Sequence, residues 1–456
     1  MPSPKPPKSI LPEHIKGEFT WKRLTQQELD KALHLHEHYA AGRMGGQRAN
    51  FTLHDLSYLD FSGRDLSNAD LSGARLQSAI FKDCRLTSAN LFAADLAQAD
   101  MRGCDLSRAD LRGVQLRGAN LTDATMMDCD LRDGLMMRPD KDGNLIGLGH
   151  GTRTTDVGAA IMTRADLSNA KMSNAFIVQT DLTDTILRNV KLVRADLSNS
   201  NLTGSNLEGA DLTEANFDGC ILHGAILIGA ILSETSFAGA DLAGAVFGSV
   251  DYGSDNFRNA LRPVHFDTLD ITLQTLVTQH VDWIKTAGKK GKRANLTRVD
   301  LSGMKLAELN FSAAAFEFAV LANVDMQKAE LLMADMGFAD LRNADLSRCD
   351  MRGITLKRAN LTKAKLVAAK MNPVPIFGAV TQFWPTHLEN ARLVEADLTG
   401  SDMRKAVATG AIFQGAILRN ADLSGANLQD CDFTDADLRG ANLEGADVRG
   451  AIGMKL

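Results

Sequence analysis

No run of about eighteen apolar residues occurs in this chain, so nothing in it reads as a membrane-spanning helix. Its opening, MPSPKPPKSILPEHIKGEF, carries Lys and Pro but lacks the apolar stretch of a secretory signal. Residues 1–23 are expected to form a flexible Pro-rich leader on a cytoplasmic protein. Cysteines number six, with no CxxC and no Cys/His spacing that would hold zinc. Catalytic signatures are missing as well: there is no nucleophile beside a base and no carboxylate dyad in a cleft. GLGHGT around His150 lacks the Lys-Ser/Thr ending of a phosphate loop. Asp140, Asp142 and Asn144 in DKDGN lack the closing Glu of an EF-hand. No enzyme, cofactor or metal role is expected. Aromatic residues make up only 5% of the 456, a shortage that the repeat described next accounts for.

The stretch DLSGANLQDCDFTDADLRGANLEGADV, residues 422–448, has a large apolar residue at every fifth position: Leu423, Leu428, Phe433, Leu438, Leu443 and Val448. Two residues before each sits Ala or Cys, and Asp or Asn always lies between. Period five fits neither a helix face nor an alternating strand. It keeps one face inward only if the chain turns a corner once per repeat, which makes a solenoid. Rare residues recur twenty apart: Phe61 and Phe81, Cys84 and Cys104, Phe217, Phe237 and Phe257, Phe413 and Phe433. Four sides per coil would stack each set. A narrow shaft with room for one large side chain per side needs few aromatics. All six cysteines, Cys84, Cys104, Cys129, Cys220, Cys349 and Cys431, fall at the small inward position and read as buried, reduced thiols.

The register A-[D/N]-L-x-x, held over most of the chain, resembles the pentapeptide-repeat family. That resemblance implies an all-β solenoid, a right-handed quadrilateral β-helix. It says little about function, because members of the family do different things.

Read in order, Thr25-Gln-Gln-Glu28 is a capping box opening an amphipathic helix near 25–41. Leu29, Ala32, Leu33, His36 and Tyr39 share one face of it. On the same helix His34 and His38 share a face while His36 points elsewhere, so the three imidazoles do not converge. Repeats run from Phe51 to Leu131, are abandoned over 134–163, and resume at Leu167 to reach Phe257. Asp142-Gly143 reads as the turn of a hairpin inside that first excursion. A second helix is expected at 268–286, with Leu273, Leu276, Val277, His280 and Trp283 mirroring the first helix's face. Repeats then run from Leu296 to Met371 and from Leu393 to Val448, around a second excursion at 372–391. The expected organisation is two helix-capped units, 24–261 and 262–456. Each helix would cover the open end of its coil, whose bare backbone groups invite association. A C-terminal coil without such a helix is an expected homodimer interface.

Charge supplies the candidate partner sites. Between Ala195 and Phe257 there is no Lys or Arg, but acids stand at Asp196, Glu208, Asp211, Glu214, Asp218, Glu234, Asp241, Asp251 and Asp255. The following segment, 285–370, is predominantly basic. The acids read either as wall solvation, with attraction between the adjoining acidic and basic units, or as a surface that steers basic partners. The second excursion carries Phe377, Phe383 and Trp384, either to bind a partner or to pack on the solenoid wall. A non-catalytic protein-binding scaffold is the expected function. The alternative, implied by the family resemblance, is a DNA-mimicking modulator of a type II topoisomerase such as gyrase. A net charge of −6 and the lack of aromatics among the basic residues argue against direct contact with nucleic acid or membrane.

Overall fold

The computed structural model describes residues 21–139, 145–148, 154–248, 254–376 and 381–454. The Asp140, Asp142, Asn144 and His150 readings, and all but the last residues of the leader, lie outside them.

Each five-residue repeat forms one side of a coil, and the chemistry of one side explains the whole. Leu66 carbonyl accepts the Ala69 amide at 2.9 Å, closing a four-residue turn. Its third residue, Asn68, has φ of 63°, as in a type II turn. The Asp at the start of the side stabilises that corner: Asp65 Oδ1 accepts the Ser67 amide at 2.9 Å. Between corners each side makes one parallel bridge to the residue twenty positions on, as in Asp65 to Arg85 to Asp105 to Thr125. Twenty residues is four sides. The large inward residue is fully buried (Leu66, Leu86 and Leu106 have no exposure), and the small one nearly so. Each buried Leu contributes about 1.5–3 kcal/mol.

The small inward slot faces a carbonyl of the previous coil, which is why polar atoms are tolerated there. Thr180 Oγ1 donates to Val157 O at 2.9 Å and Ser200 Oγ to Ile177 O at 2.7 Å. Cys84 and Cys431 donate from Sγ to Phe61 O and Ala408 O at 2.7 and 3.0 Å. All six cysteines are buried and unbridged. Aromatics twenty apart stack as their spacing predicts, Phe61 on Phe81 at 4.4 Å and Phe413 on Phe433 at 4.9 Å between ring centroids.

The chain divides into two compact units, one of Met1–Ile221, Ile226–Ala240 and Phe247–Asn259, the other of Leu222–Ala225, Asp241–Val246 and Ala260–Leu456. In the first, helix α1 spans Gln26–Ala40 behind the Thr25–Glu28 capping box, with Leu29, Leu33 and His36 buried. His36 Nδ1 accepts the Ala49 amide at 3.1 Å and its ring stacks on Tyr39. The second unit repeats the device. Helix α2 spans Leu273–Lys285, His280 Nδ1 accepts the Ala294 amide at 3.0 Å, and its ring stacks on Trp283. Leu276 joins the same buried cluster as Leu296 and Leu301. A two-residue strand precedes each helix and pairs in parallel with the first coil, Lys22–Arg23 with His54–Asp55 and Val264–His265 with Val299–Asp300.

Four expectations need correction. Lys22 and Arg23 belong to the fold and not to a leader. Helix α2 starts after Thr272, whose hydroxyl accepts the Thr275 amide; residues 266–268 form a separate short turn. The first excursion ends earlier than 163, because Val157 and Met162 are fully buried and Asp156 and Ile161 bridge Gln115 and Asn120. The second ends before Leu388, which is also fully buried. These repeats escaped notice because Thr155, Ile161, Thr386 and His387 depart from Ala-Asp, while the shaft requires only a small and a large inward side chain.

The paired histidines make the helix docking pH-sensitive. Burial lowers both imidazoles from their usual 6.5. Below that value the unfolded chain takes up protons that the folded one refuses, so docking stability is complete above pH 6.5 and falls as pH drops toward the lowered folded values. Hydrogen exchange should show the Ala49 and Ala294 amides losing protection between pH 7.5 and 5.5, after correction for intrinsic rates. Unchanged protection would mean that the imidazoles do not hold the helices.

Candidate interaction surfaces

Outward positions of a repeat are the bridging Asp or Asn and the two corner residues after it. The geometry assigns most of the predicted acids to the fold. Asp196 accepts the Ser198 amide at 3.0 Å and the Asn216 side-chain amide at 3.0 Å. Asp211 accepts the Thr213 amide and hydroxyl at 3.2 and 2.7 Å. Asp218 accepts the Ser236 hydroxyl and, at 3.0 Å, the Ala238 amide. Glu208 lies 3.2 Å from an Arg188 nitrogen. Asp241 belongs to the second unit, where both Arg298 Nη atoms donate to it at 2.6 and 2.7 Å and His223 Nε2 lies 2.9 Å away. Burial would raise that carboxyl, but the Arg298 and His223 contacts outweigh it and hold it at about 2.

Glu214 and Glu234 differ. Both are exposed corner residues with positive φ, twenty apart, and neither pairs with another described residue. Asp251 lies outside the described residues, and Asp255 opens a short turn.

A second pattern went unread in the sequence. Where Arg follows Asp by two, its Nε and Nη2 clasp both carboxylate oxygens, as in Asp100–Arg102, Asp350–Arg352, Asp402–Arg404 and Asp437–Arg439. Arg439 and Arg419 together hold the Asp437 carboxyl well below the usual range. Such exposed pairs, screened by solvent, add little to stability. Their larger effect is to cancel charge along the walls.

Both excursions leave the coil as antiparallel hairpins, Met136–Pro139 with Leu145–Leu148 and Val374–Ile376 with Gln382–Trp384. A buried threonine anchors each return to the shaft: Thr155 Oγ1 accepts the Gly113 amide at 3.0 Å, and Thr386 Oγ1 accepts the Gly353 amide at 3.1 Å. These threonines were hidden by their departure from the repeat pattern. In the second hairpin Trp384 and Val374 lie over Gly353, where a Cβ would meet Val374 Cγ2 at 3.0 Å and Trp384 Cδ1 at 3.1 Å. Phe383 is 62% exposed and Trp384 46%. Lys405 Nζ stands 5.6 Å from the centre of the Phe383 ring. Phe377 lies outside the described residues. The sequence thus left two readings open for these rings, and the geometry combines them: Trp384 rests on the wall while Phe383 faces solvent.

An open groove of about 450 Å³ runs along one corner of the first unit, lined by Tyr58, Gln77, Gln98 and Arg117. Among the described residues no three His, Cys, Asp or Glu side chains gather as a metal cage, and no helix is long and apolar enough to cross a membrane.

No curated protein sequence matches the chain. Among solved structures it is similar to QnrB1, a plasmid-mediated fluoroquinolone resistance protein, at 24% identity, covering 46% of this chain and 91% of that one with a TM-score of 0.24. HetL, a pentapeptide repeat protein involved in heterocyst differentiation regulation in the cyanobacterium Nostoc sp. strain PCC 7120, is 22% identical, with 91% and 94% covered and a TM-score of 0.12. Rfr23 from the cyanobacterium Cyanothece 51142 is 22% identical, with 38% and 97% covered and a TM-score of 0.14. The pentapeptide-repeat family model matches residues 55–91, 94–133, 155–189, 191–227, 220–251, 294–331, 334–372, 386–420 and 416–452. With most of its length in those matches and a coil of four five-residue sides, this chain belongs to the pentapeptide-repeat family and folds as a β-helix type solenoid.

Proposed function

We propose that the chain is a non-catalytic protein-binding scaffold of the cytoplasm, built as two right-handed, helix-capped units that present hairpins and outer walls to a protein partner. The hairpin at 374–384 carries the reading: in a chain so poor in aromatics, Phe383 and Trp384 are spent outside the shaft, with Phe383 mostly exposed. Aromatic anchors of this kind dominate protein interfaces. The capping role of α1 and α2 is supported by their matching His-to-amide contacts. Pairing of two copies through the coil 433–452 belongs to the same proposal, since Leu443 and Ala446 there are only partly buried and Val448 is exposed.

A photocrosslinking residue at Phe383 should give one discrete protein adduct in the source cells, and at the exposed wall position Gln414 none. Trp384→Ala should abolish the adduct by loosening the hairpin. Equal adducts at both positions, or none at Phe383, would sink the hairpin reading.

The second reading, modulation of a type II topoisomerase by imitating duplex DNA, is supported by the unpaired Glu214 and Glu234. The Asp–Arg clasps weigh against it, because duplex DNA carries one charge per roughly 1.7 Å. Supercoiling by a cognate topoisomerase, titrated with the wild type and with a Glu214→Gln, Glu234→Gln variant, separates the two. Inhibition that the variant loses would put the topoisomerase first.

A further inference from the structure

The internal duplication separates residues that hold the fold from residues the fold does not need. His36 and His280 occupy matching places, both buried and both accepting a backbone amide. The imidazoles two residues to either side of His36 have no counterpart: where α1 carries His34 and His38, α2 carries Thr278 and Asp282. The second helix docks without them.

His34 and His38 are one helical turn apart and share a face. Their ring centroids are 4.5 Å apart and their planes meet at 52°. His34 is exposed, His38 is half-buried, and neither ring bonds to another described residue. His38 lies in the last turn of α1, at the end of the helix dipole that favours a cation. Two imidazoles with open nitrogens therefore stand together at the end of the helix that attracts positive charge.

We propose that His34 and His38 chelate one divalent transition-metal ion that favours imidazole, Cu²⁺, Ni²⁺ or Zn²⁺, with water completing its coordination. Three imidazoles do not converge on α1, but an exposed two-nitrogen site needs only two. Affinity should follow the general order for nitrogen ligands, with Cu²⁺ tightest. Because the pair spans one turn of the helix whose other face buries Leu29 and Leu33, occupancy clamps that turn and stabilises the docked helix by linkage. This site is independent of any protein partner.

The test uses the untagged full chain, titrated calorimetrically with NiCl₂ at pH 7.5 in a non-chelating buffer. One equivalent should bind, and His34→Ala and His38→Ala should each weaken binding at least about tenfold by removing half of the chelate. Thr278→His combined with Asp282→His places the same pair on exposed positions of α2 and should add a second equivalent. Absence of stoichiometric binding overturns the proposal. Binding that persists in the His34→Ala, His38→Ala double variant does so too, as does a graft that adds no second equivalent. Circular dichroism of each variant confirms that the helices remain.

Discussion

Leu207→Asp is expected to open the coil that holds it. Leu207 is fully buried, in line with Leu187 and Leu227 of adjoining coils; its amide serves the ladder, to Ile226 O at 2.7 Å, and its carbonyl closes the corner turn, from the Ala210 amide at 3.1 Å. The substitution removes a Leu worth about 2–5 kcal/mol with its cavity and puts a carboxylate where the described shaft has no cation to pair it. Together these should exceed about 4 kcal/mol, in the range that signals core disruption. Stability in a solenoid is nearly a sum over nearest neighbours, so the damage should be local. Limited proteolysis should cut near residues 187–227 while Ala260–Leu456 stays intact. Leu207→Met, a volume-conserving swap, should cost less than about 1.5 kcal/mol. An unchanged melting curve for Leu207→Asp would refute the inward assignment on which the fold rests.

The second large effect is expected at Gly113. The corner position of a repeat has positive φ whatever residue fills it, as Asn68 and Arg108 show. A left-handed backbone is therefore not what reserves Gly113. A Cβ there would fall 2.1 Å from the Gly134 carbonyl oxygen, where the first excursion leaves the coil. Backbone has to move to admit it. Gly63 has the same φ to within a degree, and nothing lies within 4 Å of its Cβ direction. Gly63→Asn should change stability by less than about 1 kcal/mol, and Gly113→Asn should cost about 3 kcal/mol or more. Gly353→Asn should fall between, because the atoms it meets belong to the Val374 and Trp384 side chains, which can swing aside and carry the hairpin with them. Thermal melts of the three variants check the order. Equal losses at Gly63 and Gly113 would mean that backbone conformation, and not the close approach, sets the cost.

The same contrast explains which parts of the molecule were legible in advance. Phe61 on Phe81 and Cys84 beside Cys104 follow from spacing alone, since any side chain twenty residues on lands in the same slot. His36 and His280 were visible as a repeated motif, although not the amides they accept. Val157, Met162 and Leu388 were missed, because a search for Ala-Asp-Leu asks for more than the shaft demands. Glu208 and Asp241 read only as wall or steering charges, since the partner of each, Arg188 at twenty residues and Arg298 at fifty-seven, is assigned by the folded chain.

By itself the sequence determined the five-residue side, the twenty-residue coil, the inward alternation of large and small residues, and the two-fold repetition of helix before solenoid. Each is a periodic property, and periodicity is written along the chain. Only the tertiary structure decided which acids remain free, where each hairpin rejoins the shaft through Thr155 or Thr386, and that Phe383 faces solvent while Trp384 rests on Gly353. Those outcomes depend on what stands opposite a side chain one coil away, and that neighbour is fixed by the stacking of coils.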